Sequence, residues 1–290
     1  MMFAVLIAKP DTLDPVLAEA LRTAWGGGSP RWLALGQALE FPVMDQPENF
    51  REVWQDLQGM GVDLNLVPAE GRRKRMLLAD MDSTMIGQEC IDELADMAGV
   101  GAHVAGITAR AMNGELDFEA ALKERVGLLK GLPVGVIGQV LAERITYTPG
   151  GKELIATMHA NGGHAVLVSG GFTAFTTAVA AHLGFDEHRA NTLLAKDGLL
   201  TGTVAEPILG RQAKVDALDQ ISARLGFGPD AVLAVGDGAN DLGMLNRAGM
   251  GVALHAKPSV AAQCEIRVNH GDLTALLFLQ GYAAEDFVTG

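Results

Sequence analysis

Arg75-Met76-Leu77-Leu78-Ala79-Asp80-Met81-Asp82-Ser83-Thr84 is the segment from which the architecture can be read. Four apolar residues without polar alternation suit a strand buried on both faces, as in the middle of a parallel sheet. The run stops at one carboxylate, Asp80, and a second, Asp82, follows two positions on. The same arrangement occurs twice more. Ala165-Val166-Leu167-Val168 leads into Ser169-Gly170-Gly171, and Ala231-Val232-Leu233-Ala234-Val235 leads into Gly236-Asp237-Gly238-Ala239-Asn240-Asp241. Each polar turn is followed by a helical stretch. Strands alternating with helices predict an α/β fold on a doubly wound, mostly parallel Rossmann-like sheet. Such sheets bind ligands at the carboxyl ends of their strands, which here carry Asp80, Ser169 and Asp237.

Between the first two of these strands the periodicity is helical only, with helices expected near 88–98, 101–113, 117–130 and 133–143. A helical cap insertion at about 86–147 is expected to cover the strand ends as a lid. Gly87 and Pro149-Gly150-Gly151 flank it and are candidate hinges. Upstream, residues 1–70 read as strand 2–8, helix 14–25, strands 31–36 and 38–44, helix 48–59 and strand 62–67. That βαββαβ order predicts a small ferredoxin-like α+β domain, with residues 71–290 forming the second domain. Arg72-Arg73-Lys74-Arg75 lies between them and reads as a solvated linker.

Composition removes several classes of function. A formal net charge of −13 with one short basic run argues against nucleic-acid binding. Cys90 and Cys264 give neither a disulfide framework nor metal-ligand spacing; both are expected to be buried or half-buried thiols, which fits a reducing cytoplasm. The apolar start at Met1–Ala8 has no basic flank, and Leu273–Tyr282 is too short to span a bilayer, so neither an export signal nor a membrane segment is expected.

The strand ends suit phosphoryl transfer. That reaction needs a nucleophile, a proton donor for the leaving oxygen, and cations to offset phosphate charge. Asp80 is placed to attack phosphorus, and Asp82 to protonate the leaving alkoxide and later deprotonate water. Thr84 is expected to orient Asp82. Ser169 with the following glycine amides, ahead of a helix, forms a phosphate cradle. Lys214, early in a helix expected at 211–225, is either a phosphate clamp or an ordinary solvated charge. Asp237, Asn240 and Asp241 crowd one strand end, with glycines permitting tight turns. Oxygen ligands of this kind suit Mg²⁺, held by the carboxylates of Asp80 and Asp237 and the backbone carbonyl of Asp82. Asp241 is either a further ligand or a residue that holds the ligands in place. An EF-hand calcium loop is excluded, because no Glu stands at the twelfth position of a loop starting at Asp237.

Taken in order, Asp80-x-Asp82-Ser-Thr, Ser169-Gly-Gly, Lys214 and Gly236-Asp-Gly-x-Asn-Asp241 resemble the haloacid dehalogenase superfamily. Glu89, Gly114-Glu115-Leu116-Asp117-Phe118 and Arg125 extend the likeness to the branch that dephosphorylates phosphoserine. The likeness runs from about residue 75 to 280. It implies Asp80 as nucleophile, Asp82 as general acid and base, and Mg²⁺ on Asp80, Asp82 and Asp237. It implies phosphate on Ser169, Gly170 and Lys214, with Asn240 nearby. Glu89 would receive the substrate ammonium and Arg125 its carboxylate, which Arg can grip with two hydrogen bonds. Asn113 and Gly243 depart from the family pattern, where Arg and Pro are frequent, but neither falls on a catalytic position.

The expected substrate is therefore the small molecule phosphoserine. Transfer to another small alcohol shares all the same groups and stays open from sequence. So does an amino-acid sensor centred on the N-terminal domain, which is ACT-like in element order. A ferredoxin-like module can also pair edge to edge, which allows a homodimer.

Overall fold

The computed structural model describes residues 1–289. β1 (Met2–Ala8), α1 (Pro15–Ala24), β2 (Arg31–Ala34), β3 (Ala38–Val43), α2 (Phe50–Gly59) and β4 (Val62–Pro68) follow the order read from the sequence. The strands form an antiparallel sheet in the order β2-β3-β1-β4, the ferredoxin-like arrangement. Asp14 caps α1 by accepting from the Val16 N–H at 2.8 Å, and Pro15 takes the first helical position, where its missing N–H costs nothing.

The chain then enters β5 (Met76–Ala79), all four residues of which are completely buried. Four short helices follow: α3 (Cys90–Met97), α4 (Gly101–Met112), α5 (Phe118–Gly127) and α6 (Gly135–Glu143). The chain continues through α7 (Gly151–Ala160), β6 (His164–Phe172), α8 (Thr173–Leu183), β7 (Glu187–Asn191), the hairpin β8 (Leu193–Lys196) and β9 (Leu199–Val204), and α9 (Arg211–Arg224). It ends with β10 (Val232–Gly236), α10 (Leu242–Arg247), β11 (Met250–Leu254), α11 (Pro258–Ala261), β12 (Ile266–Val268) and α12 (Ala275–Leu279).

The large sheet is parallel with the order β12-β11-β10-β5-β6-β7. The first strand, β5, lies between β6 and β10, and the chain winds outward to each side. The strand order therefore reverses at the β5/β10 boundary, where such sheets open a crevice. Register does the rest. Ala79 pairs with Val235 on one side and Leu167 on the other, so Asp80, Asp237 and Ser169 emerge side by side.

The basic run is not a solvated linker. Arg72 is 9% exposed; its guanidinium is 2.7 Å from Glu40, donates to the Leu279 and Phe278 carbonyls, and lies over the Phe3 ring. Arg73 stacks on Tyr282 and Arg75 on Phe227. Aromatic faces hold guanidinium groups well, and these aromatics lie far away in sequence. Side chains also join the two sheets. The Asp63 carboxylate accepts from the N–H groups of Asn269, His270 and Gly271 at 2.8–3.0 Å, and the Asn65 amide pairs with the Arg267 backbone in both directions at 2.9 Å. These β4 side chains satisfy backbone groups along the open edge of the large sheet, which would otherwise be a pairing hazard.

Candidate active site

Asp80 stands one residue past β5. Its Oδ1 accepts from the Met81 N–H at 2.8 Å and lies 2.7 Å from Lys214 Nζ. The chain then turns sharply, with Ser83 in the left-handed region at φ 54°. The turn brings Asp82 back beside Asp80. Asp82 Oδ1 accepts from the Cys90 N–H at 2.9 Å, and Oδ2 from the Ser169 hydroxyl at 3.2 Å. Those two donors orient Asp82. Thr84 does not, because its hydroxyl reaches Asp237 Oδ1 at 3.3 Å instead. Burial pushes the Asp82 carboxyl above the usual carboxylate range, opposed by the Cys90 and Ser169 hydrogen bonds. A raised value suits a group that must carry a proton to a leaving oxygen.

Lys214 is neither exposed nor a free helix charge. It is completely buried in α9, with Nζ 2.7 Å from Asp80 and 2.6 Å from Asp241. Asp241 Oδ2 accepts from the N–H groups of Asp237 and Gly238 at 3.2 and 3.0 Å. Both Asp241 oxygens are thus engaged in holding Lys214 and the turn after β10. Burial, then the carboxylates of Asp241 and Asp237, push Asp80 well above its ordinary range against the pull of Lys214. Burial and Asp241 likewise push Asp237 up to about 7.

This cluster fits a hard divalent cation. Asp80, Asp237 and Asp241 offer ligand atoms within 4.8 Å of one another. Asp237 Oδ2 is buried without a hydrogen bond, and Lys257 Nζ is 3.5 Å away. Three buried carboxylates face one buried ammonium, Lys214, an excess of acidic groups that a divalent ion would offset.

The glycines of the two motifs are required by space rather than by unusual backbone angles: none of Gly170, Gly171, Gly236 and Gly238 has positive φ. A Cβ on Gly170 would fall 2.7 Å from the Phe118 ring, and one on Gly171 would fall 2.6 Å from Asp82 Oδ2. At Gly236 it would strike Asp241, and at Gly238 Asn240 and Met112. Ser169-Gly170-Gly171 occupies the irregular register between β6 and β7, and the Ser169 hydroxyl also accepts from the Gly171 N–H at 2.8 Å.

The cap closes the site from above. Met112 accepts from the Ala239 N–H at 3.0 Å, and Phe118 rests on Gly170 and Gly210. Asp80, Asp82, Glu89, Arg125, Gly170 and Asn240 line the resulting cavity, while Ser169, Lys214 and Asp237 lie outside that lining. Phe118, Met112, Ile91 and Leu122 supply apolar wall, with Gly171 and Phe172 beside them. Glu89 stands at the N-terminal boundary of α3, and its side chain accepts from the Ser83 hydroxyl at 2.7 Å. Burial, then Asp82 and Asp237, push its carboxyl up to about 8. Arg125 projects from α5 and is 2% exposed. The cavity volume is ≈ 20 Å³, room for about one water molecule.

The flanking segments pair with each other: the Gly87 N–H donates to Thr146 at 2.9 Å and the Thr148 N–H to Met85 at 3.0 Å. Gly150 is locked, with φ 82° and the Thr274 backbone 2.6 Å from where a Cβ would stand. The hairpin adds a third tie. Gly131 donates to Leu200, Leu200 to Leu132, and Val134 to Gly198, at 2.9–3.0 Å. The sequence reading missed this hairpin, although Asp197-Gly198 between two short runs is a strong two-residue turn signal. Both turn residues have positive φ.

Fold and site together define a hydrolase built on a Rossmann-like core with a helical cap. Residues 77–246 match the haloacid dehalogenase-like hydrolase family, and the chain belongs to it. It is similar to the phosphoserine phosphatase of Streptomyces coelicolor, with 44% identity over 97% of this chain and 70% of that one. It is also similar to the phosphoserine phosphatase of Archaeoglobus fulgidus, with 39% identity over 86% of this chain and 74% of the relative. A solved substrate-bound phosphoserine phosphatase complex superposes with a TM-score of 0.68 at 40% identity, over 71% of this chain and 97% of that one. No helix among the described residues is long and apolar enough to cross a membrane.

Proposed function

We propose that this chain is a phosphoserine phosphatase, a phosphoric monoester hydrolase that converts O-phospho-L-serine to L-serine and phosphate, the last step of serine biosynthesis. The observation that carries the reading is the pairing of Glu89 and Arg125 from the cap in one cavity with Asp80 and Asp82 from the core. Phosphoserine needs one anion for its ammonium, one cation for its carboxylate and a nucleophile for its phosphorus, and all three face the same space.

The Asp80 carboxylate attacks phosphorus. The bond from phosphorus to the serine oxygen breaks, and Asp82 delivers its proton to that oxygen. The phosphoryl group now rests on Asp80. Asp82, left as a carboxylate, removes a proton from water, whose oxygen attacks phosphorus and frees Asp80. Ser169, Gly170, Lys214 and Asn240 hold the phosphate. Asp80, Asp237 and the Asp82 carbonyl would hold Mg²⁺, which supplies positive charge against the phosphate oxygens. The cap, residues about 86–147, excludes bulk water while Asp80 is phosphorylated. Residues 1–70 form an ACT-like module beside the phosphatase domain of residues 71–290.

Phosphate release from O-phospho-L-serine, measured with Mg²⁺ and with excess EDTA, tests this reading. Turnover with Mg²⁺ and none with EDTA is expected, and metal-independent turnover or no turnover at all refutes it. A pH profile tests the ammonium site. Glu89 is raised above the ordinary carboxylate value of 4.5, toward about 8, so it binds an ammonium only after losing its proton, and kcat/KM rises with pH between those two values. A bound cation offsets the Asp82 and Asp237 contributions and moves the inflection down within this window. The ratio of wild-type to Glu89→Gln kcat/KM cancels titration of the substrate phosphate, and it should climb as pH rises from 4.5 toward 8. A flat ratio removes Glu89 from the ammonium site.

A further inference from the structure

We infer that Thr108 and Asp92, cap residues outside the cavity lining, are positioning residues that aim Arg125 at the substrate carboxylate and so set the preference for a phosphorylated amino acid over a phosphorylated amine. The inference rests on the phosphoserine reading above and extends it to residues that never touch substrate.

Arg125 is buried and lines the cavity. Its Nε donates to the Ala121 carbonyl, one turn back in α5, at 3.1 Å. Its Nη1 donates to the Thr108 hydroxyl, on α4, at 3.0 Å. Among the described residues no hydrogen-bond partner meets Nη2. Thr108 is 3% exposed, and its hydroxyl lies 2.6 Å from Asp92 Oδ1 on α3 and 3.1 Å from the Val104 carbonyl. A hydroxyl has one proton to give. The Arg125 N–H takes one acceptor site on the oxygen, so the proton goes outward, and the shorter contact with a carboxylate claims it. The polarity is fixed: Arg125 donates to Thr108, and Thr108 donates to Asp92.

Two consequences follow. The line ties α3, α4 and α5 at one point, and it ends on a negative charge that favours the guanidinium through the hydroxyl dipole. A free arginine side chain samples many rotamers, and freezing them during binding weakens affinity. Here the rotamer is fixed in advance, with Nε and Nη1 held by hydrogen bonds within the cap. Only a ligand with a carboxylate benefits.

The test compares O-phospho-L-serine with O-phosphoethanolamine, which keeps phosphate and ammonium but lacks the carboxylate. It is scored as an alternative substrate, or as a competitive inhibitor if it is not turned over. Thr108→Val keeps the shape and deletes the hydroxyl. KM for phosphoserine should rise about tenfold, the usual weight of a hydrogen bond to a charged group. KM or Ki for phosphoethanolamine should stay within about twofold. Thr108→Ser should restore the phosphoserine value, and Asp92→Asn should give a smaller change in the same sense. Equal losses on both compounds, or an unchanged phosphoserine KM, overturn the inference. Should Thr108→Val fail to fold, Asp92→Asn against the same two compounds decides it. Failure of the wild-type enzyme to hydrolyse phosphoserine refutes the functional reading instead, before any variant is made.

Discussion

Asp80→Asn should eliminate turnover and leave the fold standing. Asparagine has the same shape and can still accept from the Met81 N–H, which now bonds to Oδ1 at 2.8 Å. It cannot form an acyl phosphate, so the route through Asp80 closes, and phosphate release should fall by at least about 10⁴-fold. Stability should move the other way. Without a bound cation Asp80, Asp237 and Asp241 crowd together around the buried Lys214 ammonium, and the substitution removes one of the repelling groups. Lys214 keeps Asp241 as a partner at 2.6 Å. The thermal midpoint in EDTA should therefore match or exceed that of the wild type, and the stabilisation by added Mg²⁺ should shrink, since one ligand carboxylate is gone. A variant that keeps a tenth of the activity would show that Asp80 is not the nucleophile. One that loses activity together with its near-UV circular dichroism would show only that the site had collapsed.

Lys214→Met should produce the largest loss of stability from any single change in the site. The Lys214 side chain has no solvent exposure, and its ammonium is the buried cation between Asp80 and Asp241. Burial works against that charge, but the two carboxylates outweigh it and raise the ammonium above its ordinary value, so it stays protonated. Methionine fills a similar volume and leaves two buried carboxylates facing each other. Removing one partner of a buried ion pair costs about 3–5 kcal/mol, which urea denaturation in EDTA measures. Turnover should also be lost. The double variant Lys214→Met with Asp241→Asn should recover part of the stability, because the second change deletes one stranded charge, yet it should recover no turnover. A Lys214→Met protein as stable as the wild type would mean that the Lys214 contacts contribute little.

Much of the architecture could be read locally. The apolar runs at 76–79, 165–168 and 231–235 are central strands, and central strands must be apolar on both faces, so composition alone reveals them. β7 escaped notice because Glu187-His188-Arg189-Ala190-Asn191 is an edge strand with mostly half-exposed side chains and no apolar run. The cap helices carried a helical period and were placed to within a few residues. The basic run at 72–75 was misread for a definite reason. Its charges are neutralised and stacked by Glu40, Phe3, Tyr282 and Phe227, and no local pattern announces such distant partners.

The site divides in the same way. Sequence by itself determined that Asp80 and Asp82 follow a buried strand, that Ser169 and Asp237 follow two others, and that Glu89 and Arg125 belong to a helical insertion. Those are statements about short segments, and an apolar run that stops at a polar residue is a local property. Tertiary structure decided which groups touch. It made Lys214 the bridge between Asp80 and Asp241, and gave Asp82 to Cys90 and Ser169 rather than to Thr84. It also set Gly170 and Gly171 against Phe118 and Asp82, where a methyl group has no room. Contacts of this kind depend on strand register and on how the cap seats, to within fractions of an ångström. They are long-range steric and electrostatic facts, and they come into being only when the β5/β10 boundary is assembled and covered.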